Sequence, residues 1–186
     1  MPHTQSKIAT DRFSPRALRT LSAFGLTVDD VRRDAARAAQ RVEVLAARIE
    51  ISLRPGEIAS ISGPSGSGKT SILDALRKRP GRFITVAPAP RGRARRAIDS
   101  VRAGTLADTL AALAAAGLAE ARPMVARIGD LSEGERARVA LAQGLGAASR
   151  ARGEPVTLIA DEFAATLDDA TADAVAASLA RWVRRH

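Results

Sequence analysis

The chain has 186 residues, 46% of them hydrophobic, yet 40 are Ala and only five are Phe or Trp, so its core is expected to be built from Ala, Val, Leu and Ile. The absence of Cys excludes disulfides and thiolate metal sites, and His3 and His186 as the sole histidines argue against a zinc centre or a histidine triad. The formal net charge of +9 comes from 26 Arg and 3 Lys against 20 acids, and it is concentrated: nine basic residues lie between Arg77 and Arg102 against the single acid Asp99. No apolar run is long enough to span a bilayer and the first residues lack a secretory pattern, which predicts a cytoplasmic protein with no direct membrane insertion.

In chain order, Ser14 followed by Pro15 marks a helix start, and Gly25 marks its stop. Thr27 can cap a second helix over roughly Val28 to Gln40. From Val42 to Leu53 apolar and polar residues partly alternate, which predicts one or two strands ending at the turn Arg54-Pro55-Gly56, and Ile58 to Ser62 reads as a short, mostly buried strand. A helix is expected over about Lys69 to Arg79 and a strand over Phe83 to Val86. Pro88 and Pro90 then forbid regular structure in an Arg-rich loop.

Leu106, Leu110 and Leu113 sit at helical spacing between Thr105 and Ala116, with Gly117 as the stop. Further helices are predicted over Ser132 to Ala148 and Asp169 to Arg185, with a strand at Val156 to Ala160 between them. Strands alternating with helices predict an α/β layered fold with a mostly parallel sheet.

Gly63-Pro64-Ser65-Gly66-Ser67-Gly68-Lys69-Thr70 fits the phosphate-loop pattern G-x-x-x-x-G-K-[ST] between a predicted strand and a predicted helix. Such a loop turns backbone N–H groups towards phosphates, adds the positive end of a helix dipole, and supplies Lys69 as a point charge and the Thr70 hydroxyl as a hard oxygen for Mg²⁺. Ser71 follows in the first helical turn. Asp161 and Glu162 close an apolar strand at the edge where ligands bind in α/β sheets; Asp161 suits Mg²⁺, and Glu162 suits a general base that orients and deprotonates water. In Leu131-Ser132-Glu133-Gly134-Glu135, Ser132 and Glu135 make a capping box, and Gly134 suits a backbone that approaches a phosphate closely.

These three segments, with Ala165-Thr166-Leu167-Asp168, resemble in kind and order the Walker A, signature, Walker B and D-loop motifs of ABC-type ATPases, over roughly Val42 to the C-terminus. The resemblance implies a P-loop NTPase fold with a small antiparallel strand region near the N-terminus and a reduced helical subdomain at about 100–150. It sets a helical extension (1–40) before an ATPase domain (41–186). It also implies ATP and Mg²⁺ as cofactors, hydrolysis, and a head-to-tail homodimer in which Ser132 and Gly134 reach the γ-phosphate in trans and Asp168 links the two sites.

The chain departs from the family pattern in three places. Gln5, Gln40 and Gln143 are its only glutamines, so none follows the strand after Walker A. The region from Ala38 to Val42 offers no aromatic for the base, leaving an aliphatic such as Val42. His186 lies only 18 residues past Asp168, so the switch role is not transferred to it, and the chain is expected to be truncated relative to the family. The functions these features leave open are a soluble ATPase acting on an unknown partner, the ATP-binding subunit of a membrane transporter, and a small guanylate-like kinase. The basic segment Arg77 to Arg102 reads first as a solvated Arg-rich loop, with a nucleic acid or an acidic protein as the alternative partners it suggests.

Overall fold

The computed structural model describes residues 13–87, 94–151, 155–161, 165 and 167–185. By their contacts the residues form two compact units, one of 1–52 and 61–78, the other of 53–60 and 79–186.

The first unit opens with α1 (Pro15–Ala23), where Ser14 Oγ accepts from the Ala17 N–H at 3.2 Å. Helix α1 ends as the sequence predicts: the Leu26 N–H donates to Leu21 O and the Gly25 N–H to Ser22 O, the two bonds of a glycine-terminated helix. Next comes α2 (Val28–Ser52), 25 residues long. The strands predicted over Val42 to Leu53 are therefore not formed; the segment is helical, and the antiparallel strand region expected near the N-terminus is absent among the described residues. The physical reason is a period misread. Val42 and Val44 alternate, but Val28, Val31, Ala35, Ala39, Val42, Ala46 and Ile49 repeat every three or four residues and form the less exposed stripe of α2. The run lacks Gly and Pro, is rich in Ala, and gains small increments from the ion pairs Asp29–Arg32, Asp30–Arg33 and Asp34–Arg37. Ile58 to Ser62 is not a strand either, and Ile58 is 56% exposed. A short apolar run becomes a strand only where a neighbour completes its ladder, and no described residue pairs with this one. The unit closes with α3 (Lys69–Arg77), which buries Ile72, Ala75 and Leu76 and packs on α2.

The second unit holds two parallel strands, β1 (Arg82–Val86) and β2 (Val156–Ala160), paired from Arg82 with Val156 to Val86 with Ala160. Between them run α4 (Ala97–Ser100), α5 (Leu106–Ala115), α6 (Ala121–Val125), a 3₁₀ turn (Ile128–Asp130) and α7 (Glu133–Ser149); α8 (Asp169–Val183) follows β2. The core is aliphatic and alanine-rich as composition required: Leu113, Leu118, Ile128, Val139, Leu145 and Val175 are its largest fully buried side chains. Helix α7 covers both strands. Gly144 permits that approach, since a Cβ there would stand 3.0 Å from Val86 Cγ2 and 3.4 Å from Leu158 Cδ2. Gly117 stops α5 at φ +82°, where an added Cβ would lie 2.6 Å from Val175 Cγ2. The turn at Arg54 to Glu57, closed by the Glu57 N–H donating to Arg54 O, sets Gly56 against Val183 and Arg184 at the end of α8.

Candidate functional site

The phosphate loop lies wholly within the first unit. Gly66 and Gly68 have φ of +77° and +91°, and no atom stands within 4 Å of a Cβ built on Gly66. Gly68 is the N-cap of α3 and provides no side chain to satisfy the first N–H groups of the helix. These donors, with the helix dipole behind them, form an anion-accepting surface. Lys69 Nζ reaches back over the loop and donates to Gly63 O at 2.8 Å and Pro64 O at 2.9 Å, while the Ser67 N–H donates to Pro64 O at 3.2 Å. Pro64, Ser65, Gly66 and Ser67 are exposed around that bridge, and Thr70 and Ser71 occupy the first turn of α3, also exposed. Val42, expected on a strand, instead stands on α2 beside the loop, its Cγ2 3.8 Å from where a Gly68 Cβ would be.

The second unit holds Ser132, Gly134, Asp161 and Asp168. Ser132 caps α7: its Oγ accepts from the Glu135 N–H at 3.2 Å, and its own N–H donates to Glu135 Oε2 at 2.8 Å, completing the capping box. The Ser132 N–H foremost, and then the Ser132 hydroxyl, hold the Glu135 carboxyl below its ordinary range. Gly134 lies in the first helical turn. Arg136, only 6% exposed, donates to Leu131 O at 2.7 Å and so ties the turn before the helix to the helix itself; no pattern in the sequence marks this role. Asp161 leaves the C-terminal end of β2, at the sheet edge where Val86 ends β1, and is partly buried. Asp168 caps α8 with both carboxylate oxygens, accepting from the Thr171 N–H at 2.9 Å and the Thr171 hydroxyl at 2.7 Å; these bonds lower its pKa. Glu162 and Thr166 lie outside the described residues, as do Pro88, Pro90, Arg91 and Arg93 of the predicted loop.

An uncapped, glycine-started helix carrying the only lysine of G-x-x-x-x-G-K-[ST] is the decisive local feature, and comparison with known proteins agrees. Residues 33–185 match the family model described as AAA ATPase domain. Two relatives named lipoprotein-releasing system ATP-binding protein LolD, from Novosphingobium aromaticivorans and Maricaulis maris, are each 32% identical; the matches cover 83% and 88% of this chain and 82% and 84% of theirs. The chain belongs to the ABC-type P-loop ATPases. A relative named zinc import ATP-binding protein ZnuC 2, from Hahella chejuensis, is 34% identical over 64% of this chain and 53% of its own length. No solved structure matches the chain. As an ATP-binding ABC-type ATPase, the chain has the mixed α/β character that its sequence predicts. Among the described residues no helix is long and apolar enough to cross a membrane.

Proposed function

We propose that the chain binds ATP with Gly63, Pro64, Ser65, Gly66, Ser67, Gly68, Lys69, Thr70 and Ser71, hydrolyses it, and converts the cycle of binding and release into closure and opening of a head-to-tail homodimer that works on a protein partner. The observation that carries the reading is the start of α3: a helix with no side-chain cap at a left-handed glycine, with the Lys69 ammonium held beside it on loop carbonyls that phosphate oxygens can replace. Lys69 then stabilises charge developing on the β- and γ-phosphates.

The Thr70 hydroxyl and the Asp161 carboxylate are each a hard oxygen of the kind Mg²⁺ takes, and each is a candidate ligand in its own unit. Bound Mg²⁺ neutralises phosphate charge. Glu162 serves as the general base for the attacking water. Closure brings the partner's Ser132 and the partner's Gly134 to the γ-phosphate at the start of a second helix, so the dimer is favoured while that phosphate is present; Asp168 lies at the subunit boundary.

Glu162→Gln tests the scheme. With saturating ATP and Mg²⁺ the variant is expected to accumulate as a dimer on size exclusion, and a variant that stays monomeric contradicts it. A second reading, the ATP-binding subunit of a membrane transporter, is favoured by the names of the LolD and ZnuC relatives. ATPase activity that rises only on reconstitution with a membrane partner would select it.

A further inference from the structure

In the second unit, two stretches far apart in sequence meet in an isolated antiparallel bridge between Arg96 and Arg127. The Ala97 N–H donates to Ala126 O and the Ile128 N–H to Arg95 O, each at 3.0 Å, so Arg96 and Arg127 form the closely spaced pair that exchanges no hydrogen bond. Such pairs have Cα atoms about 4.5 Å apart and side chains on the same face. Two exposed guanidinium side chains are therefore held side by side, an arrangement that is unfavourable by itself. Arg96 Nη1 donates to Val125 O, which anchors its fork. Among the described residues no ion pair engages Arg95, Arg96, Arg122 or Arg127, in contrast to Arg32, Arg33, Arg37 and Arg77. Arg95, next to the bridge, and Arg122, in the helix that ends at the bridge, are exposed as well.

We propose that the Arg96–Arg127 bridge, flanked by Arg95 and Arg122, is a docking surface for the phosphodiester backbone of a nucleic acid. Anionic oxygens seated between the two forks convert a repulsive pair into bidentate, charge-assisted contacts, which arginine makes better than lysine. A protein partner ordinarily seats aromatic or large aliphatic anchors, and the largest apolar side chain exposed beside the pair is Val125. A partner recognised by charge alone fits this surface better. The contact is independent of base sequence and depends steeply on salt.

The test measures fluorescence anisotropy of a short labelled DNA duplex with the full chain across a salt series. The wild type is expected to bind, and Arg96→Glu with Arg127→Glu is expected to weaken binding on the order of tenfold and flatten the salt slope by about two, one for each phosphate that an arginine no longer neutralises. Arg16→Glu with Arg19→Glu, the same charge change on exposed α1, should stay within about twofold of the wild type in the same assay. ATP affinity and far-UV circular dichroism report that the bridge variant is folded. A wild type that does not bind the duplex, bridge and control variants that weaken equally, or a labelled polyglutamate chain bound as tightly as the duplex would each overturn the proposal, the last in favour of an acidic protein.

Discussion

Helices α3 and α7 both begin where the family's chemistry points, and they begin in opposite ways. Helix α3 starts at a left-handed glycine with no side-chain cap, whereas α7 is closed by Ser132 and Glu135 bonding to each other's backbone. Helix α8 is closed too, by Asp168 on Thr171. A helix start that satisfies its own donors with a carboxylate is a stable element and a poor anion receptor; one that leaves them without a side-chain cap is the reverse. On this contrast rests the proposal that α3 carries the primary phosphate site of the isolated chain. The signature turn is a preorganised structural piece whose serine oxygen is the acceptor in the cap.

The sharpest way to break this contrast is Lys69→Ala. It removes a charge-assisted contact to phosphate of about 2–3 kcal/mol, so ATP affinity by isothermal titration calorimetry should fall at least about thirtyfold while the melting temperature hardly moves. Unchanged affinity would mean that α3 is not the primary site. Gly68→Ala comes next. Its φ of +91° is costly for any residue with a Cβ, by about 1–2 kcal/mol. The nearest atom, Val42 Cγ2, is at an ordinary 3.8 Å, so the loss is conformational and not steric. Calorimetry should show reduced stability together with weaker ATP binding, and loss of stability alone would mean that the loop's shape is irrelevant to the ligand.

Features set by neighbouring residues were legible in the sequence. The start of α3 at Lys69, the Ser132–Glu135 box and the strand Val156 to Ala160 each follow from side chains within a few positions of one another. Features decided at a distance were not. Whether Val42 to Leu53 alternates as a strand or continues a helix depends on what packs on it, and α3 takes up the helical face. Ile58 to Ser62 lacks the partner strand it needed among the described residues. The pairing of β1 with β2, and of Arg96 with Arg127, joins residues that no local pattern connects.

Ser132→Ala probes the closed end of the contrast. Loss of an N-cap hydroxyl costs about 1 kcal/mol, so urea unfolding should shift by that amount while ATP affinity of the isolated chain is unchanged; weaker binding in a monomer would place Ser132 in the primary site after all.

The smallest effect is in acid. Glu135 has its folded pKa depressed by the Ser132 N–H and hydroxyl, so its stabilising contribution is complete above the unfolded carboxyl value of about 4.3 and is lost as pH falls through the lower, folded value. Asp168 acts in the same direction through Thr171. Wild-type stability should therefore decline below about pH 4.5. Ser132→Ala removes the hydroxyl but leaves the backbone N–H that contributes most, so its decline should be only slightly shallower. Glu135→Gln, which keeps an acceptor for that N–H without a charge, should flatten the Glu135 share of the decline altogether. A Gln variant that loses stability in acid as steeply as the wild type would show that the box holds by geometry, not by the ionised carboxylate.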